Sequence, residues 1–427
     1  MPSPVCAQVI RVAVARKSKP GDTYPIRGVL GDRILMVCLV ALSVGNLILP
    51  EEVQTIGGVD YILLSCIAIL ILLLLRLRLF LHSFDALFFC VLAVTIVPGV
   101  TMVSGTPYSQ QKVLALALML IMIAAPSLFW VQNYGRSILV RGLWVVSAAC
   151  AVVFIPLNQL TPTDRRSLFD MNPIGVSRLV GVGVVIALVL ALRGKARRTR
   201  RLMFAIVGTS VVGITAMILT GSRGPLVGIV IAVLLVIAVR VEKSRRRISR
   251  LVLLVVAVLF AVAWSGSIDD TGLNRVVESN AWGRADLYAD TFRVILGNPL
   301  GIGWGNLAAY LPNYTVEAGG RLYAHNIFLE FAVEGGVIAV VGLIAVLAVA
   351  GRRCWIAARS SAGLGPLSIL AVLAYALANA QFSSDLIGDR LLWVILGFAI
   401  GSVPPTMRAR AIGRANAARR LSGGSAT

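Results

Sequence analysis

The chain is a succession of apolar runs separated by short polar or basic stretches. About twelve of these runs are long enough, or nearly so, to cross a bilayer as helices, for which roughly 20 apolar residues suffice. They fall at residues 34–49, 59–75, 84–100, 113–130, 138–157, 174–192, 202–220, 224–239, 251–264, 326–350, 364–380 and 391–403. The pattern predicts an all-α polytopic membrane protein. It divides the chain into an N-terminal tail (1–33), nine spans (34–264), one large polar loop (265–325), three further spans (326–403) and a basic C-terminal tail (404–427). Within the large loop, Asn280 to Gly297 has the spacing of an amphipathic helix, and Gly297-Asn298-Pro299 ends it.

Composition agrees with this picture. Of 427 residues, 58% are hydrophobic and 14% charged, too apolar for a soluble core to hide. A net charge of +21 would point to nucleic acid in a soluble protein. Here the arginines and lysines gather in segments 1–33, 193–201, 240–250 and 408–420, while most carboxylates fall on the alternate segments. The positive-inside rule accounts for that separation. It predicts a cytoplasmic (inner) membrane protein with both termini cytoplasmic, bilayer lipid as a partner and no nucleic acid. The basic first 33 residues read as a retained tail and not as a signal peptide. Four of the six cysteines lie inside predicted spans, where they act as small hydrophobes, so neither a disulfide framework nor a cysteine metal site is expected.

Candidate chemistry concentrates on the side of the large loop. His325, one of two histidines, stands where the loop meets the tenth span. An imidazole titrates near neutral pH and can accept a proton from a hydroxyl. It can equally be an interfacial capping residue. Glu330 and Glu334 follow on the same helix, at most about 7 and 13 Å along it. At that depth carboxylates are costly unless paired, protonated or facing a wet cavity, and a structural role for them is pairing with a buried arginine. Either could orient the imidazole. Arg223 sits in the turn Thr220-Gly221-Ser222-Arg223-Gly224-Pro225, where a new helix N-terminus adds unpaired N–H groups to a guanidinium and so favours an anion. Arg284 and Arg293 lie about 180° apart on the amphipathic helix. Arg293 shares a face with Asp286 and Asp290, a solvated side. Arg284 shares one with Tyr288 and Ile295, the side turned toward the membrane body, and there needs an anionic partner: phosphate, Glu330 or Glu334. Arg178 and Arg321 are further candidates for a diphosphate, whose oxygens suit bidentate arginine contacts. The run Gly301-Ile302-Gly303-Trp304-Gly305 reads as a turn and not as a dinucleotide fingerprint, since no strand precedes it. No aspartate-rich motif lies on the loop side, so no metal and no cofactor are expected.

Three stretches resemble the O-antigen ligase and O-antigen polymerase (Wzy-type) superfamily of bacterial membrane glycosyltransferases. They are Thr220-Gly221-Ser222-Arg223-Gly224, then Gly283-Arg284 through Asn298-Pro299-Leu300-Gly301-Ile302-Gly303, and His325-Asn326-Ile327-Phe328-Leu329-Glu330 through Glu334-Gly335-Gly336. The resemblance implies transfer of a glycan from undecaprenyl diphosphate to an acceptor glycan or glycolipid hydroxyl at the extracytoplasmic face. It also implies that His325 activates or orients the acceptor while Arg223 and Arg284 hold the diphosphate. The competing expectation is a transporter of a small anion or lipid-linked saccharide, which would carry its polar groups near the bilayer midplane.

Overall fold

The computed structural model describes residues 26–48, 55–56, 59–75, 96–97, 99–126, 133–160, 173–191, 199–220, 222–240, 281–314, 321–360, 364–382 and 386–401. Helix α1 (Ile26–Ile48) leads to a two-residue antiparallel ladder of β1 (Thr55–Ile56) and β2 (Val59–Asp60), and then to α2 (Tyr61–Leu75). Helices α3 (Pro107–Ala124), α4 (Asn133–Leu160), α5 (Pro173–Ala191), α6 (Arg200–Leu219) and α7 (Arg223–Arg240) follow. Beyond residue 280 come α8 (Ala281–Gly297), the single turn α9 (Leu307–Tyr310), the long α10 (Ile327–Ser360), α11 (Leu364–Asn379) and α12 (Arg390–Ile400).

Local sequence sets several of these starts. Thr106 caps α3 by accepting the Ser109 N–H at 3.3 Å, with Pro107 in the first helical position. Thr199 does the same for α6 through the Leu202 N–H at 3.2 Å. Asn326 heads α10, its side-chain oxygen accepting the N–H groups of Phe328 (3.0 Å) and Leu329 (3.2 Å). Among the described residues, α3, α4, α5, α6 and α10 are long and apolar enough to cross a bilayer, and five shorter apolar helices accompany them. Their outward faces carry large apolar side chains such as Leu74, Val145, Phe204 and Val211, a surface suited to acyl chains. Apart from the β1–β2 ladder, the regular elements among the described residues are helices, a multi-pass membrane architecture. The spans expected at 84–100 and 251–264 fall almost wholly outside the described residues.

Helix α5 is enclosed along nearly its whole length, and α11 packs against it, against α7 and against α10. Small residues permit the close approach. Tyr375 of α11 is fully buried between Gly181 and Gly228; a Cβ on Gly181 would lie 2.1 Å from the Tyr375 hydroxyl. That hydroxyl donates to the Arg178 carbonyl at 2.8 Å.

The loop side has a core of its own. Leu287 of α8, Ile302, Leu307, Leu311, Leu322 and Val333 of α10 pack together. What locks this cap to the spans is a break in α10. Gly336 has φ 79° and ψ −177°, which interrupts the helix and frees backbone groups on either side. The expected turn at 301–305 fills the gap. Ile302 N–H donates to Val333 O (2.9 Å), Gly303 N–H to Glu334 O (3.0 Å), and Val337 N–H to Pro299 O (2.9 Å). So the glycine run is a turn, as its composition predicts, but a buried one that completes a broken helix. Gly301 (φ 91°) could not carry a side chain: its Cβ would meet Glu334 O at 2.5 Å. On the other side, Trp304 is fully buried, its indole N–H donating to Ile96 O at 3.0 Å, and Asn306 Nδ2 donates to Met102 O at 2.9 Å.

Candidate functional site

The C-terminal end of α11 is where the candidate residues meet. The last carbonyls of a helix have no intrahelical partner and stand at the negative end of its dipole, so they attract donors and cations. Here the carbonyls from Asn379 to Phe382, at and just past the end of α11, are used by three other helices. Arg178 of α5 donates to Asn379 O at 2.9 Å, and Ile327 N–H of α10 to Ala380 O at 3.1 Å. Tyr288 of α8 donates to Gln381 O at 3.3 Å, and Arg284 to Phe382 O at 2.8 Å. The start of α7 joins them: a Cβ on Gly224 would touch the Phe382 side chain at 3.2 Å. Arg223 is the first residue of α7, with Pro225 in its first turn; its side chain lies outside the described residues.

His325 stands immediately before the Asn326 cap. It is the one non-glycine residue with positive φ (52°) among those described, a conformation that costs roughly 1–2 kcal/mol outside glycine. Its neighbours fix it there. The carbonyl of His325 accepts the Tyr288 hydroxyl at 3.4 Å, and its imidazole lies against the Tyr323 ring, centroids 4.3 Å apart and tilted 55°. Tyr288 therefore bridges His325 and Gln381 from the helix that carries Arg284. Burial pushes its phenol up from the ordinary range, and the Arg284 guanidinium draws it partly back. Arg321 reaches a different neighbour, donating to Gln111 Oε1 of α3 at 3.5 Å.

The two glutamates sit deeper. Lys112 of α3 lies between them, its ammonium 2.5 Å from Glu330 Oε1 and 2.7 Å from Glu334 Oε2, with all three side chains essentially inaccessible. Glu330 also accepts the Leu386 N–H at 3.1 and 3.2 Å. The partner of these carboxylates is thus a lysine and not an arginine, and of the three anionic partners open to Arg284 neither glutamate is taken; that guanidinium turns to the Phe382 carbonyl. Arg178 is likewise engaged, by Asp389 at 3.2 Å as well as by Asn379 O. Arg293 pairs with Asp290 at 2.5 Å on the exposed side, the division of faces its spacing predicts.

Sequence reasoning passed over Lys112 and the 379–382 segment. A signal existed for the first: a lysine in the second turn of an apolar helix requires a buried counter-charge. For the second there was none, because carbonyl groups leave no trace in side-chain identity. The assembled site presents the half-buried His325, linked through its carbonyl and Tyr288 to the helix whose Arg284 is bound to a neutral acceptor, next to the N-terminus of α7. That set can receive an anion and a hydroxyl together.

Comparison with known proteins bears on the same region. No curated protein matches the chain. The family model described as O-antigen ligase matches residues 208–344, a segment that runs from α6 through α7 and α8 to the middle of α10 and takes in Arg223, Arg284, His325 and both glutamates. Over that segment, about a third of its length, the chain is similar to the O-antigen ligase family, in keeping with a role in surface polysaccharide assembly.

Proposed function

We propose that this protein is a glycosyltransferase that moves a glycan from undecaprenyl diphosphate to a hydroxyl of an acceptor glycan or glycolipid at the extracytoplasmic membrane face. The observation that carries the reading is the meeting of His325, Tyr288 and Arg284 at the end of α11 beside the α7 N-terminus. Arg284 and Arg223, with the N–H groups that open α7, hold the diphosphate and stabilise the charge that grows on it as the glycosyl bond breaks. His325 takes the proton of the acceptor hydroxyl as its oxygen bonds to the anomeric carbon, and the diphosphate leaves with the bonding electrons. No nucleotide or metal is needed in this scheme, since a stabilised diphosphate is itself a good leaving group. Arg321, at the mouth of the His325 segment, is a further contact for donor or acceptor. Glu330 and Glu334 act through position: clamped on Lys112, they hold the first half of α10 that presents His325. Arg178, tied to Asp389, anchors the α11 end on which Arg284 and Tyr288 dock.

Transport is the weaker reading. A broken helix is a transporter feature when its freed backbone groups face a cavity. Around Gly336 those groups are taken by residues 299–303, and the carboxylates nearby are taken by Lys112.

The test is complementation of a strain lacking this gene, with surface glycan resolved by size and the lipid-linked precursor measured. At matched membrane levels, His325→Ala is expected to lower transfer by about 10²–10⁴-fold and to raise precursor, whereas Arg293→Ala leaves both near wild type. Full rescue by His325→Ala would remove the histidine mechanism.

A further inference from the structure

Helix α8 has three faces, not two. At about 100° per residue, Leu287, Thr291 and Ile295 form the side packed on the cap core. Asp286, Asp290 and Arg293 form the polar side. Ala285, Ala289, Phe292 and Leu296 form a third, which is apolar and exposed: Phe292 is 53% accessible and Leu296 69%. The sequence pattern, read as two opposed faces, conceals this one.

The third face does not end with the helix. Leu300, 59% accessible, follows it, and the hydrogen bond from Val337 N–H to Pro299 O joins that point to α10. There the row continues through Val337 (50%), Val341 and Ile344, all exposed. Val337 also opens a run without a charged residue up to Gly351, about 22 Å of helix, ahead of Arg352 and Arg353. That uncharged run begins just past the break at Gly336, and the Pro299 contact brings the C-terminal end of α8 to the same point of α10.

We infer that α8 is an interfacial helix whose Phe292–Leu296 face is embedded in the lipid at the membrane boundary. Its lipid-facing row is continuous with that of α10, and its polar face points to water. A second copy of the chain is a poorer occupant. The four side chains of the α8 face fall well short of the roughly 800 Å² per partner that a stable dimer uses, and the row runs directly into the exposed apolar side of α10, a helix long and apolar enough to cross a bilayer. A helix held along this boundary keeps Arg284 at headgroup depth, where a lipid diphosphate lies; this last consequence rests on the proposed transfer reaction, and the embedding does not.

The experiment places an environment-sensitive fluorescent amino acid in place of Leu296 or, separately, of Arg293, in the full chain reconstituted in phosphatidylethanolamine–phosphatidylglycerol nanodiscs. Quenching is measured with a lipid carrying a nitroxide near the top of its acyl chain and with aqueous iodide. Position 296 is expected to be quenched by the lipid nitroxide about three-fold more strongly than position 293, with the order reversed for iodide. Equal iodide quenching at both positions would overturn the inference, as would a position 296 shielded from both quenchers, which would mean that protein covers it. Since the readout needs no turnover, lipid quenching at 296 alongside wild-type glycan from His325→Ala would keep the interfacial helix and dismiss the transferase reading.

Discussion

Two clusters of charge lie within a few turns of each other, and they treat their ions in opposite ways. In the deeper one, Lys112, Glu330 and Glu334 are wholly removed from water and held to one another at 2.5–2.8 Å. In the shallower one, Arg284 donates to a neutral carbonyl, and His325 is half-buried with a strained backbone. A guanidinium offers five N–H donors; among the described residues Arg284 uses one acceptor. Burial explains the contrast. An ion without water must have its counter-charge built in, because leaving it alone costs several kcal/mol. A group that is to receive a charged ligand must instead keep donors available and stay near solvent. The first cluster therefore holds α3 to α10, and the second is placed to bind.

Breaking the deeper cluster is expected to give the largest effect. Lys112→Met leaves two buried carboxylates facing each other and should cost about 3–5 kcal/mol, seen as a large fall in melting temperature in detergent and in membrane yield. The same lysine change combined with Glu330→Gln and Glu334→Gln removes the charges together and should recover most of the loss. If the single and triple variants melt alike, the cluster is not held by charge pairing, and the contrast between the two regions collapses.

The sequence made the helices legible because apolar runs this long have few alternatives in a bilayer. It also made the division of α8 legible, since Arg284 and Arg293 differ by nine residues and so by half a turn of the helical wheel. The site was readable only where side-chain type carries the role. His325, Arg223 and Arg284 stand out as ionisable groups beside apolar runs. Their meeting point does not, since it is built from carbonyl groups of Asn379, Ala380, Gln381 and Phe382. The choice of Lys112 as partner for both glutamates is a fact of tertiary packing, 218 and 222 residues apart in the chain, with 222 the separation across the Lys112–Glu334 bond. The glycine run at 301–305 was legible as a turn, but not as the piece that completes α10, because the break at Gly336 is itself visible only in the backbone.

The shallower cluster should show the reverse balance of stability and activity. Arg284→Ala removes one hydrogen bond to a backbone carbonyl, worth about 0.5–1.5 kcal/mol, and should lower the melting temperature only slightly. Transfer should fall more, by roughly 10–100-fold, with the larger share in weakened donor binding, in line with loss of a charge-assisted contact of about 1.5–3 kcal/mol. Arg284→Lys should restore part of the binding, because the charge returns without the forked geometry. A variant that loses stability as severely as Lys112→Met would instead make Arg284 a second structural clamp.

The smallest effect belongs to the polar edge of α8. Tyr314 donates to Asp290 Oδ2 at 2.7 Å and ties the segment after α9 to the helix. That hydrogen bond, with lesser contributions from burial and from the charges of Asp290 and Asp286, pushes the phenol up to about 12. The folded state thus favours the protonated phenol. The stabilisation is complete below the ordinary tyrosine range near 10 and is lost as pH rises from there through about 12. Tyr314→Phe keeps the ring and deletes the bond, at a cost of about 1 kcal/mol or less at this half-exposed position. Melting curves of wild type and Tyr314→Phe should differ slightly at pH 9, and the gap should narrow as pH rises past 10 and close only by about pH 12. A gap that widened with pH would mean that ionised Tyr314 is accommodated better than neutral Tyr314, which two carboxylates on the same helix edge forbid. Tyr314→Phe should leave glycan transfer at neutral pH unchanged, since this edge faces water and Arg284 docks on α11 without it.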